Sequence, residues 1–223
     1  MKPSLAAPGL LLALALALSV SSCSGDDDSA AAATDPADAG AAGAAGAAPQ
    51  PPASVPAATG SVRSTGLPTV MDTGDGAELC LGAIAESYPP QCGGPAIPNW
   101  DWDAQDGTYD QQDDVRWGTY AVTGTWDGTS FTVTDALTGA LYDPMMPEPA
   151  TLPEPDVAYS ADELEGISEG LRDELPGYQG SYADQEGHVL ADVIYDDGSL
   201  QSYVDEAYGA GVVVLTLALV DVE

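Results

Sequence analysis

The chain almost lacks positive charge. Of its 223 residues, four are Lys or Arg and 36 are Asp or Glu, giving a formal net charge of -32. The cations are Lys2, Arg63, Arg116 and Arg172, so no lysine follows the second position. Such a polyanion repels phosphate backbones and anionic head groups. Nucleic acid is therefore excluded as a partner, and the folded body stays off an anionic membrane surface. No Gly-rich loop precedes a lysine, so no nucleotide site and no cofactor is expected. Phenylalanine and histidine occur once each, as Phe131 and His188. No apolar run reaches the roughly 20 residues of a spanning helix.

What is present begins at the N-terminus. Leu10 to Val20 is almost all Leu and Ala, lies behind the single basic Lys2, and closes on Val20-Ser21-Ser22-Cys23. This resembles a bacterial lipoprotein signal peptide with its lipobox, although Val stands where Leu is usual. The resemblance implies that residues 1–22 are removed, that the Cys23 sulfur receives a diacylglycerol, and that the protein is lipid-anchored on the extracytoplasmic face of the cell membrane. Ordinary signal-peptidase cleavage, giving a free secreted protein, also suits Val20 and Ser22.

Cysteine parity points the same way. The three cysteines are Cys23, Cys80 and Cys92. Lipidation of Cys23 leaves a pair for an oxidising compartment to join. A disulfide across so short a loop stabilises by roughly 3 kcal/mol in the chain-entropy model. Two buried free thiols are the alternative. A zinc site on these cysteines lacks a credible ligand set.

Residues 23–66 are Ala, Gly, Pro, Asp, Ser and Thr, with only Val55 and Val62 suited to a core. They read as a disordered, lipid-anchored tether. Residues 67–140 read as a β domain. A first strand is expected from Glu78 to Ala85. Its clearest element is a hairpin, Thr119–Trp126 and Thr129–Asp135 around Asp127-Gly128. A two-residue turn there sets Val122 opposite Val133 and Trp126 opposite Thr129. Tyr120, Val122, Trp126, Phe131 and Val133 then share the buried face, with Phe131 lying over Gly124. Residues 141–158, with five prolines, read as a stiff connector. Residues 159–223 read as a small helix-strand-helix-strand segment. Ser160 and Glu163 form a capping box, Leu164, Ile167, Leu171 and Leu175 follow at helical spacing, and Pro176-Gly177 stops the helix. Ser199 is expected to cap the second helix, and Gly211–Val220 to form one buried central strand. The fold class expected is α+β, an antiparallel β domain compatible with a small OB-like barrel, followed by the small α/β segment.

Leu79-Cys80-Leu81-Gly82, Glu86-Ser87-Tyr88-Pro89-Pro90-Gln91-Cys92-Gly93, Trp100-Asp101-Trp102, Trp117-Gly118 and Val122-Thr123-Gly124-Thr125 resemble a recurrent block in secreted and lipid-anchored actinobacterial proteins. The resemblance spans about residues 75–135. It implies a lineage and no chemistry, because that family has no assigned activity.

The candidate chemistry is sparse. Asp101, Asp103, Asp106 and Asp110 suggest a calcium loop, but Gly107, Gln105 and Gln112 break the EF-hand pattern, so a solvated acidic loop is expected. Serines and aspartates are plentiful enough for a Ser-His-Asp set, but no Gly-x-Ser-x-Gly elbow is expected and His188 opens a predicted strand, so a plain strand-end histidine is expected. The expected role is a non-catalytic binding module for an envelope protein or small ligand, with Tyr88, Trp100 and Trp102 as contact surface. If those aromatics are buried, they are core instead. The alternative role is an envelope hydrolase using carboxylates or His188.

Overall fold

A long strand organises the fold. The computed structural model describes residues 48–143 and 151–222. The expected lipobox, Cys23 and the expected tether up to residue 47 lie outside the described residues. The strands are β1 (Ser61–Ser64), β2 (Thr69–Asp72), β3 (Ala77–Cys80), β4 (Asp110–Gln112), β5 (Val115–Trp126), β6 (Phe131–Thr138), β7 (Tyr178–Ala183), β8 (Val189–Val193), β9 (Val213–Leu217) and β10 (Leu219–Asp221). The helices are α1 (Ala161–Glu174) and α2 (Ser199–Tyr208).

β5 has different neighbours along its length. Its first half pairs with β2 and β4, its second half with β1 and β6. The seven-stranded assembly then runs β10-β1-β5-β2-β3, with β4 and β6 also on β5. Backbone bonds carry the ring onward. Leu79 N–H donates to Pro95 O at 2.9 Å, Ile97 N–H to Ala77 O at 2.8 Å, and Phe131 N–H to Ala96 O at 3.0 Å. Residues 95–97 thus bridge β3 to β6. Gly94 is needed beside them, because a Cβ there would strike the Leu79 carbonyl. The ring encloses Val70, Leu79, Ile97, Tyr120, Val122, Trp126 and Phe131.

The hairpin has the expected faces and a different register. Trp126 pairs with Phe131 and Gly124 with Val133, and a bulge follows at Thr123/Gly124. The loop is longer than two residues because Asp127 organises it. Its carboxylate accepts from Thr129 N–H, Ser130 N–H and both hydroxyls at 2.7–2.8 Å. These donors hold Asp127 well below the usual carboxylate range. Phe131 does lie over Gly124, where any Cβ would meet its ring and the Thr132 carbonyl.

The helical segment is built as the leucine spacing predicts. Ser160 and Glu163 make the reciprocal capping box, and Leu164 and Leu171 are buried. The start of α2 differs. Ser199 is its first helical residue, and Asp196 caps instead, accepting from Leu200 N–H at 2.8 Å and Gln201 N–H at 3.1 Å. β7 pairs antiparallel with β8, and β9 pairs parallel with β8 across the α2 crossover. β9 is therefore an edge. The apolar run predicted as one central strand breaks at Ala218 into β9 and β10. The break lets Ala218 N–H bond Val193 O while β10 joins β1.

Two boundaries read from composition move. Residues 48–66 are not tether. Val62 is fully buried in β1, Val55 and Ala58 pack on the core, and Pro56 O accepts from Trp126 Nε1 at 2.9 Å. Few apolar groups suffice because prolines 51, 52 and 56 already restrict this backbone. The first strand is also shorter, ending at Cys80 where the disulfide loop begins. Nor are the β part and the α/β part separate. β10 belongs to the first sheet, Ile194 and Tyr195 lie in its core, and the described residues fall in one compact unit.

Candidate functional site

The site grows from Asp72 at the end of β2. Its carboxylate is buried and takes four donors. Oδ1 accepts from Gly74 N–H at 2.8 Å and Gly76 N–H at 3.3 Å. Oδ2 accepts from Trp102 Nε1 at 2.9 Å and Arg116 Nη2 at 3.1 Å. Gly74 and Gly76 have φ of 108° and 116°, conformations that bulky residues avoid and that turn both amides inward. Burial penalises the charge, but the four donors outweigh it and hold the Asp72 pKa below its ordinary value. Arg116 also lies over the Trp102 ring, its Cζ 5.3 Å from the centroid.

This group floors a cleft of about 450 Å³. Asp75 and Glu78 add exposed carboxylates, and Trp100 adds an indole. Trp100 packs edge-on against Tyr120 at 4.9 Å and Trp102 at 5.6 Å between centroids. Its Nε1 is buried and has no hydrogen-bond partner, the one such side-chain atom among the described residues. An unpaired buried donor costs about 1–3 kcal/mol.

The three aromatics predicted as one surface divide. Trp102 is buried, only 6 % exposed. Trp100 is half-buried in the cleft wall. Tyr88 is 73 % exposed and stands edge-on to Trp117 at 5.2 Å. That places Tyr88 with a separate cluster of Met71, Trp117, Cys80 and Cys92. The predicted Cys80–Cys92 disulfide is formed, with Cα atoms 5.8 Å apart. Reducing it or substituting Cys92→Ser should cost roughly 3 kcal/mol, because the unfolded chain regains the loop's entropy. Thermal melting with and without reductant checks this, and an unchanged midpoint would contradict it.

The acidic loop does not assemble a cation site. Asp101 caps the short turn Asp103–Gln105 through Asp103 N–H at 3.0 Å, and Asp103, Asp106 and Asp110 stay exposed. His188 is buried with both ring nitrogens engaged. Nδ1 lies 2.8 Å from Asp184 Oδ2, and Nε2 lies 3.0 Å from Pro153 O. Burial opposes the imidazolium, yet the Asp184 carboxylate and Pro153 carbonyl raise the His188 pKa. No hydroxyl is bonded to the ring among the described residues. The expectation of no Gly-x-Ser-x-Gly is wrong as to sequence, since Gly166-Ile167-Ser168-Glu169-Gly170 has that spacing. It lies inside α1 rather than on a strand-to-helix turn. The Ser168 hydroxyl is 2.7 Å from Ser181 Oγ, which also meets Tyr178 OH at 2.8 Å. These hydroxyls tie α1 to β7.

No family model, no curated protein and no solved structure matches the chain.

Proposed function

We propose that the protein is a lipid-anchored, extracytoplasmic binding module that holds its ligand in the Trp100–Trp102 cleft. The unpaired Trp100 indole N–H carries this reading: it is closed off in the wall of this cleft as it stands, and a ligand that opened the wall would give it an acceptor. Aromatic faces beside carboxylates and a guanidinium give both contact area and orientation. The anchor rests on the lipobox resemblance and on cysteine parity: two of the three cysteines are joined, leaving Cys23 for the lipid. Attachment through Cys23 would present the cleft to envelope proteins or small envelope ligands. The closed ring of β5, β2, β3, residues 95–97 and β6 supports the small OB-like barrel reading. Nucleic acid is not the ligand, given the charge.

Two measurements test this. Cys23→Ala should release the protein to the medium, and the intact mass of membrane-extracted wild type should carry the lipid increment. Trp100→Phe should leave the melting temperature equal or slightly higher while envelope-fragment binding, followed by tryptophan fluorescence, weakens at least tenfold. Unchanged binding would remove the cleft from the proposal, and an unlipidated wild type would remove the anchor.

A further inference from the structure

At the turn between β7 and β8 the chain reads Asp184-Gln185-Glu186-Gly187-His188. The turn gathers Asp184, Glu186 and His188, and one ligand atom from each lies within 4.8 Å of the others. No other group of three such residues among the described ones comes together this way.

We propose that Asp184, Glu186 and His188 bind one divalent transition-metal ion of the zinc type, through Asp184 Oδ2, a Glu186 carboxylate oxygen and His188 Nδ1. Two features separate this trio from the exposed acids elsewhere. Its nitrogen donor is a buried imidazole whose second nitrogen faces the Pro153 carbonyl at 3.0 Å. A carbonyl accepts only from N–H, so Nε2 keeps its proton, the outer-shell arrangement of metal-bound histidines, and Nδ1 is the nitrogen turned toward the carboxylates. The carboxylate beside it is also aimed. Asp184 Oδ1 accepts from the backbone N–H groups of Glu186 and His188, both at 2.8 Å, leaving Oδ2 to face Nδ1.

Nδ1 and Oδ2 are 2.8 Å apart and share one proton. Ligands about 2.1 Å from zinc at tetrahedral angles stand about 3.4 Å apart, so a modest opening lets the ion take the proton's place. Glu186 is exposed, and its carboxylate has no hydrogen bond to break among the described residues. Three protein ligands leave a fourth position to water. Imidazole with two carboxylates suits zinc better than calcium or magnesium, which take oxygen alone.

The test is titration of the full chain with zinc in millimolar magnesium, which saturates diffuse binding to a polyanion. Because the chain has one histidine, the imaging of its imidazole by nitrogen NMR reports this residue alone. The expected result is one zinc per chain, a shift of the Nδ1 resonance with Nε2 still protonated, and affinity at least tenfold weaker in Glu186→Gln. Glu186→Gln should leave the metal-free melting temperature unchanged, so its loss of binding is not a loss of fold. An Nδ1 resonance unmoved by zinc, or equal affinity in Glu186→Gln, would overturn the proposal.

Discussion

Asp72→Ala should destabilise the protein by about 3 kcal/mol, because it strands the buried Trp102 indole N–H and removes the acceptor that fixes the turn through the Gly74 and Gly76 amides. Arg116 adds little to that figure. Its side chain is 34 % exposed and water replaces the lost partner. For a unit of this size the loss corresponds to a fall of roughly 6–12 °C in melting temperature. The pH dependence has a definite sign. The folded pKa of Asp72 is depressed, so its contribution is complete above the ordinary aspartate value near 4 and is lost as the pH falls through the folded value. Stability curves of wild type and Asp72→Asn should therefore be widely separated at pH 7 and converge in acid. Parallel curves down to acid unfolding would show that the charge of Asp72 is immaterial.

Little of this site was open to sequence reasoning. Trp100 and Trp102 stand out in a chain with one phenylalanine, and both line the cleft. Asp72 does not stand out. It is one of 36 acids, and what distinguishes it is the pair of positive-φ glycines behind it and Arg116, which β5 brings across. The elements show a similar division. Ser160 through Leu175 form a helix for local reasons, a capping box and leucines at helical spacing, and these act alike in any surroundings. β7 was missed because Tyr178-Gln179-Gly180-Ser181-Tyr182-Ala183 has no alternation of apolar residues and becomes a strand only by pairing with β8. Residues 48–66 mislead for the same reason. Their order comes from Trp126 and from β10, more than sixty residues away.

Phe131→Ala should cost about 3–5 kcal/mol, the range for emptying a buried aromatic site. Phe131 is fully buried at the seam where residues 95–97 close the ring, and its ring occupies the space above Gly124. Backbone on both sides limits collapse into the void. Phe131→Leu, which keeps most of the volume, should cost much less. Denaturant unfolding followed by tryptophan fluorescence separates the two. Equal losses would mean that the aromatic ring itself, rather than its volume, holds the seam.

The pairing of β1 with β10 has a consequence for how the protein matures. Val62 lies opposite Asp221, and Val222 N–H donates to Ser61 O at 2.9 Å. A chain that emerges N-terminus first can seat β1 on β5 long before β10 is available. Until then the outer edge of β1 is an unpaired strand, open to pairing with another chain. Vectorial emergence therefore cannot complete the first sheet in order of synthesis. The earliest strand waits for the last, and premature arrest leaves a sticky edge rather than a smaller finished domain.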